Sequence, residues 1–191
     1  MELNQQILQK TADIGSKKVA EAFATLAGSP AEVAVSKVET VPFELAVTRL
    51  KPPGNYAVVV HAQLLIGVPG ASVLMLSRED SLALVDLLNG QEVGTTGILK
   101  DIDRSALKET LNILSNSYIT ALSEVTGKEI TLGVPGMMTA NRIEGVLDSL
   151  KEGSEVGETA IIFETTMEIK KYKIKATLYL LFNEKLAGMK L

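Results

Sequence analysis

Two stretches 99 residues apart carry their apolar side chains in the same helical register, and each runs into a glycine. Val19, Ala22, Leu26 and Gly28 in the first stretch match Tyr118, Ala121, Val125 and Gly127 in the second. A match that keeps both the core face and the helix stop is the mark of an internal duplication. The surrounding order also repeats: a long helix, a glycine, an extended segment ending near a proline, then a hairpin. We place the repeats at about 4–90 and 103–184 of a single 1–191 domain. Each amphipathic helix and each hairpin has an apolar face that needs cover. The expected fold is therefore an α/β (α+β) domain, internally duplicated and pseudo-twofold, with two long helices packed on one continuous sheet.

The local signals fill in this plan. Residues 4–27 read as an amphipathic helix through Leu8, Ala12, Gly15, Val19, Ala22 and Leu26, with Gly28 near its end. From Val33 to Val47 the pattern alternates in places and contains Pro42, which predicts an extended segment that bends; Pro52–Asn55 forms a turn. Tyr56–Ile66 and Ala71–Leu76 form a hairpin around Gly67–Gly70. Ser77 caps the next helix, whose buried side is marked by Leu82, Val85 and Leu88, and Asn89-Gly90 stops it. Gly94, Thr95, Thr96 and Gly97 make residues 91–101 the natural linker between the halves. Asp103 would cap a helix reaching Val125. Lys128–Pro135 is extended, a helix through Ile143, Val146, Leu147 and Leu150 follows, and Thr159–Ile169 with Tyr172–Phe182 closes the chain as a hairpin turned at Lys170-Lys171.

Composition removes several functional classes. With 191 residues and 46% hydrophobic content the chain can bury a sizeable core. Its longest apolar stretch, Leu64–Leu76, is broken by Gly67, Pro69 and Gly70 and is too short to span a bilayer, so no membrane insertion is expected. The N-terminus lacks the basic region and apolar run of a secretory signal, which points to a cytoplasmic protein. The absence of cysteine excludes disulfides, thiolate metal sites and thiol nucleophiles. A net charge of −4 with four Phe, four Tyr and no Trp gives no nucleic-acid groove or stacking platform.

The residues that carry chemistry lie on the second long helix. At about 100° per residue, Leu107, Leu111, Leu114, Tyr118, Ala121 and Val125 fall within roughly 40° of one direction. Ser105, Glu109, Asn112 and Asn116 cluster around the opposite one. A carboxylate and carboxamides one turn apart on a rigid element suit insertion into a partner's site better than the lining of a pocket. The plain alternative is a solvated helix face, since outward Glu and Asn are common. The 99-residue offset maps Glu109 onto Lys10 and Asn112 onto Asp13. On that first helix Lys10, Asp13 and Lys17 have the spacing of exposed ion pairs, worth only a few tenths of a kcal/mol.

Other candidates reduce to structural roles. His61, the single histidine, sits in an alternating strand, and no G-x-S-x-G elbow exists to recruit it. Gly127-Lys128-Glu129 lacks the glycine spacing and hydroxyl residue of a phosphate loop. The acidic pairs Asp101/Asp103 and Glu79/Asp80 stand at helix starts, where capping and the helix dipole account for them, so no metal site is assigned. Met75, Met137 and Met138 read as core fillers.

The segment SALKETLNILSNSYITALSEVTG, Ser105 to Gly127, resembles the signature helix of the CheC/CheX/FliY group of chemotaxis phosphatases. That group's pattern is Asp or Ser, three residues, Glu, two residues, Asn, then a later Pro. Ser105, Glu109 and Asn112 match, and Pro135 follows after 22 intervening residues, one more than the usual spacing. The segment DIGSKKVAEAFATLAG resembles the group's first helix, and the hairpins fall where its strands would, so the resemblance runs along nearly the whole chain. CheC is the nearest type. Members of that type often carry the Glu/Asn pair on both helices; Lys10 and Asp13 depart from it, which implies one active surface and one degenerate site.

The resemblance implies a hydrolase that removes the aspartyl phosphate of a CheY-type response regulator. Asn112 would orient the attacking water and Glu109 would contact the regulator at its active-site lysine. Ser105, Asn116, Ile113 and Ile119 would complete the partner-binding surface. The chain itself would need no cofactor, the Mg2+ being held by the regulator. Two further readings stay open. One is a noncatalytic module that binds a response regulator or a CheD-like deamidase. The other is a flagellar-motor scaffold, disfavoured because the chain ends at Leu191 without a switch domain.

Overall fold

The computed structural model describes residues 5–50, 57–66, 70–140 and 159–183. Seven strands form one sheet: β1 (Glu32–Pro42), β2 (Ala57–Ile66), β3 (Gly70–Ser77), β4 (Thr131–Leu132), β5 (Gly136–Ala140), β6 (Thr159–Ile169) and β7 (Ile174–Asn183). Their order is β1-β6-β7-β3-β2, with β4 and β5 both on the outer edge of β2, and every pairing is antiparallel. β1 from the first half thus pairs with β6 of the second, while β4 and β5 of the second half pair with β2 of the first. The sheet is continuous across the midpoint, and the chain does not divide into two lobes at Gly94.

Both faces of this sheet are covered, which explains why its central strands read as nearly unbroken apolar runs. Side chains of a strand alternate between faces. Val58, Val60, Ala62 and Leu64 therefore join one core with the helices α1 (Gln5–Ala27), α3 (Arg78–Leu88) and α4 (Asp101–Thr126). Ala57, Val59, Val73 and Met75 join a second core under α2 (Phe43–Arg49), through Ala46 and Leu50. In the first core Tyr118 meets Phe163 edge-on at 5.5 Å, and Phe163 meets Phe182 at 5.9 Å. The hydroxyls of Ser72 on β3 and Ser115 on α4, both fully buried, share a hydrogen bond of 2.6 Å that fixes the helix on the sheet.

The long helices pack against each other where Gly15 faces the ring of Tyr118: a Cβ there would lie 2.7 Å from Tyr118 Cε1. Gly28 and Gly127 end the two helices with φ of 58° and 63°, the left-handed geometry that glycine adopts without a Cβ penalty.

Several expectations are corrected. The extended segment stops at Pro42, and Phe43–Arg49 is helical, because Pro42 cannot donate to a ladder while Ala46 and Leu50 gain burial on the sheet's second face. Ser77 caps α3 as expected, its Oγ accepting from the Asp80 amide at 2.9 Å. The fully buried side chains of α3 are Ser81, Leu84, Val85 and Asp86, whereas Leu82 and Leu88 are only half-buried. Asp103 is not the cap residue of α4: it lies in the first turn, and its Oδ2 accepts from the Lys100 amide at 2.8 Å.

Residues 91–100 are not slack linker. The buried Asp86 carboxylate accepts the amides of Gly94, Thr95 and Thr96 at 2.8, 3.0 and 2.9 Å. Burial alone would raise its pKa; the hydrogen bonds from Thr96, Gly94 and Thr95 outweigh that and hold it below the ordinary value. The extended segment Lys128–Pro135 contains only the two-residue β4, and β5 begins just beyond it at Gly136. Met75 is buried, and Met137 and Met138 are partly buried against opposite cores. The Pro52–Asn55 turn and the helix expected through Ile143–Leu150 lie outside the described residues.

Candidate functional site

The apolar stripe of α4 faces the sheet: Leu107, Leu111 and Leu114 are fully buried, and Tyr118 and Ala121 are 1% exposed. Because those positions consume one side of the helix, Ser105, Glu109 and Asn116 are left exposed and Asn112 half-buried on the other. Asn112 Nδ2 donates to Glu109 Oε2 at 3.3 Å, one turn away. This bond points the amide nitrogen at the carboxylate and leaves the amide oxygen free to accept from a water or a partner.

Glu109, Asn112, Ile113 and Asn116 form one wall of an open groove of about 660 Å³. Leu65 of β2 and residues 130–135 form the other. The groove exists because the outer edge of the sheet is interrupted. β4 ends at Leu132, Gly133 donates its amide to Gln63 O at 2.7 Å, and Val134-Pro135 swing out before β5 resumes at Gly136. The excursion leaves Val134 94% and Leu65 63% exposed beside the polar row. An open groove with polar residues on a rigid helix and bare apolar side chains opposite is shaped for a macromolecular surface rather than an enclosed small molecule.

The predicted site residues separate accordingly. Glu109, Asn112, Ile113 and Asn116 are brought together with Pro135; Ser105 is exposed on α4 and does not line the groove. Ile119 is a correction: at 4% exposure it belongs to the core and offers no surface for docking. The helical angle placed it near the polar row, but it is buried in the same core cluster as Ile130, itself 7% exposed. Lys10 and Asp13 are exposed on α1, and Asp13 Oδ1 accepts from Gln9 Nε2 at 3.0 Å. Sequence reasoning missed Leu65, Thr131 and Val134; the turn signal Gly133-Val134-Pro135-Gly136 was the available hint of an interrupted edge. His61 is half-buried opposite Gly136 on β5, and burial lowers its pKa.

Among the described residues no group of three or more His, Asp or Glu side chains could hold a metal ion. No described helix is long and apolar enough to cross a membrane.

No family model matches the chain. CheC1 of Halobacterium salinarum is 24% identical over 176 residues, 91% of this chain and 87% of that protein. The CheY-P phosphatase CheC of Bacillus subtilis is 34% identical over 79 residues, 40% of this chain and 38% of that one. By sequence the chain is thus similar to proteins of the CheC type, and by fold to FliY, FliM and CheX structures. Thermotoga maritima FliY shares the fold at a TM-score of 0.71 and 21% identity, over 96% of this chain and 91% of that one. The FliM middle domain of H. pylori follows at 0.62 and 14%, covering 95% and 92%. The CheX-CheY-BeF3-Mg+2 complex of Borrelia burgdorferi matches at 0.54 and 13%, covering 90% and 97%.

Proposed function

We propose that the chain is a CheC-like phosphatase that hydrolyses the aspartyl phosphate of a CheY-type response regulator in chemotaxis signalling, in the cytoplasm. The observation that carries this reading is the Glu109–Asn112 pair on the outer side of α4, hydrogen-bonded and facing an open groove. In the proposed reaction a water oxygen bonds to phosphorus while the bond to the regulator's aspartyl oxygen breaks, releasing inorganic phosphate and the free carboxylate. Asn112 is no base at neutral pH; its amide oxygen holds the water in line. Glu109 orients that amide and meets the regulator's lysine. The Mg2+ that neutralises the phosphoryl group belongs to the regulator. Ile113, Asn116 and Ser105 contact the partner.

We also read the domain as a duplication of about 4–90 and 103–184, with Lys10 and Asp13 as the degenerate counterpart of Glu109 and Asn112. The sheet register supports this. His61 pairs with Val73, Val73 with Tyr179, and Tyr179 with Glu164, which itself pairs with Lys37; on the other edge His61 pairs with Gly136. Exchanging the halves maps this row of residues onto itself, with Lys37 and Gly136 again 99 apart.

The likeness to the FliM middle domain favours a second reading, a noncatalytic binding module for the regulator or for a CheD-like deamidase. A turnover assay separates the two. Catalytic amounts of the chain should release many equivalents of phosphate from phosphorylated regulator. Saturation near one equivalent would refute the phosphatase.

A further inference from the structure

A second cavity, of about 100 Å³, lies between the first turns of α3 and α4 and the β2/β5 edge. Its polar lining is Arg78, Arg104 and Thr139; Val58, Leu82 and Leu99 form its apolar floor, and Ile98 stands at its rim. Among the described residues it shares no lining residue with the Asn112 groove. We propose that this cavity binds a small oxyanion, a phosphate or carboxylate group, between the two guanidinium groups.

The argument is one of charge. Two arginines line one small space, and among the described residues no acid lines it. Among the described residues neither has a carboxylate partner; the ion pairs of the sheet and helices use Lys18, Lys37, Arg49, Lys170 and Lys175. Three carboxylates close in the chain are committed elsewhere, and the exposed Glu79 and Asp101 do not line the cavity. Asp80 accepts from Ser77 Oγ and the Lys175 amide, Asp86 from three loop amides, and Asp103 from Lys100 N and Asn89 Nδ2. In a chain of net charge −4, two arginines that line one cavity with no anion bonded to either mark a place for one.

One of the two guanidinium groups is held in place. Arg78 Nη2 donates to Gly97 O at 2.9 Å, which anchors its guanidinium and leaves its other N–H groups available. The loop carrying Gly97 and Ile98 is in turn held by the Asp86 carboxylate. The volume equals that of about three waters, enough for one such oxyanion, and both arginines are exposed, so the ion can reach them from solvent.

The oxyanion has two possible sources: free phosphate, or an acidic side chain of the docked protein. Only the second rests on the phosphatase reading. Inorganic phosphate titrated into the full-length chain, followed by amide NMR, should give saturable shifts at Gly97, Ile98 and Thr139. These should vanish in Arg104→Gln, persist in Asn112→Ala and return in part in Arg104→Lys. No saturable shift at those amides, or shifts unchanged in Arg104→Gln, overturns the site. Kinetics then assign the source. A rise in KM for phosphorylated regulator of fivefold or more in Arg104→Gln, at constant kcat and with phosphate competing in the unsubstituted chain, identifies a partner carboxylate. An unchanged KM with weakened inhibition by phosphate identifies the free ion. A chain that binds phosphate at these residues yet turns over no regulator refutes the phosphatase reading and leaves the anion site standing.

Discussion

The two long helices are alike on the side that faces the sheet and unlike on the side that does not. Val19 and Tyr118, equivalent at the 99-residue offset, are both essentially inaccessible, and Gly28 and Gly127 end their helices in the same left-handed geometry. Even the inward differences are matched: Gly15 of α1, equivalent to Leu114 of α4, makes room for the Tyr118 ring. Outward, Lys10 and Asp13 stand where α4 has Glu109 and Asn112. The edge strands differ in the same way. β1 carries only a register shift between Val33 and Val35, leaving Val35 39% exposed, whereas its counterpart breaks at Gly133 and leaves Val134 94% exposed. Close packing ties each core residue to its neighbours' volume, so change there must be compensated. Exposed positions carry no such constraint, and that is where α4 carries Glu109 and Asn112 beside a groove and α1 carries Lys10 and Asp13.

The comparison can be broken by substitution. The largest effect is expected for Leu114→Ala, which should cost about 2–5 kcal/mol in denaturant unfolding because the side chain is fully buried. An unchanged midpoint would mean that α4 is rotated from the orientation described.

Asn112→Ala should lower kcat for phosphate release on the order of 100-fold with little change in melting temperature, by analogy with loss of one positioning hydrogen-bond group. Asp13→Ala should leave turnover unaltered. If residual activity in Asn112→Ala disappears on adding Asp13→Ala, the first helix is also catalytic and the asymmetry proposed here fails.

Gly15→Ala sharpens the inner half of the comparison. Alanine is the better helix former by about 1 kcal/mol, yet its methyl would press into the buried Tyr118 ring. Overpacking of this kind costs about 1–3 kcal/mol, so a lower melting temperature is expected. A gain in stability would show that the helices can separate without loss.

The smallest effect concerns the row where Lys37 on β1 bridges Glu164 at 3.0 Å while the other edge has Gly136 beside His61. Burial lowers the His61 pKa from 6.5, so the folded state resists protonation. Its contribution to stability is complete above the unfolded value of 6.5 and is lost as pH falls from there through the folded pKa. Unfolding free energies measured across that window should slope less in His61→Gln; an identical slope would assign the pH dependence to other groups.

What the sequence determined by itself was local and periodic. The apolar stripe of α4 and the opposed Ser105, Glu109, Asn112 and Asn116 follow from 3.6 residues per turn, and the strands from runs of β-branched residues bounded by glycine and proline. The Ser77 cap and the two glycine stops were legible for the same reason, since each signal lies within a few residues of its effect. Only the tertiary structure decided where chemistry gathers. The groove needs Leu65 on β2 beside residues 130–135, a meeting fixed by the β2·β4 and β2·β5 pairings and by the break at Gly133. Ile119 passed from surface to core, buried in the cluster shared by the helices and the sheet. Asp86 turned a glycine-rich stretch into a fixed loop by accepting amides eight to ten residues away. Periodicity tells which side of an element is apolar; which element lies against it depends on contacts between residues far apart in the chain, and those carry no local pattern.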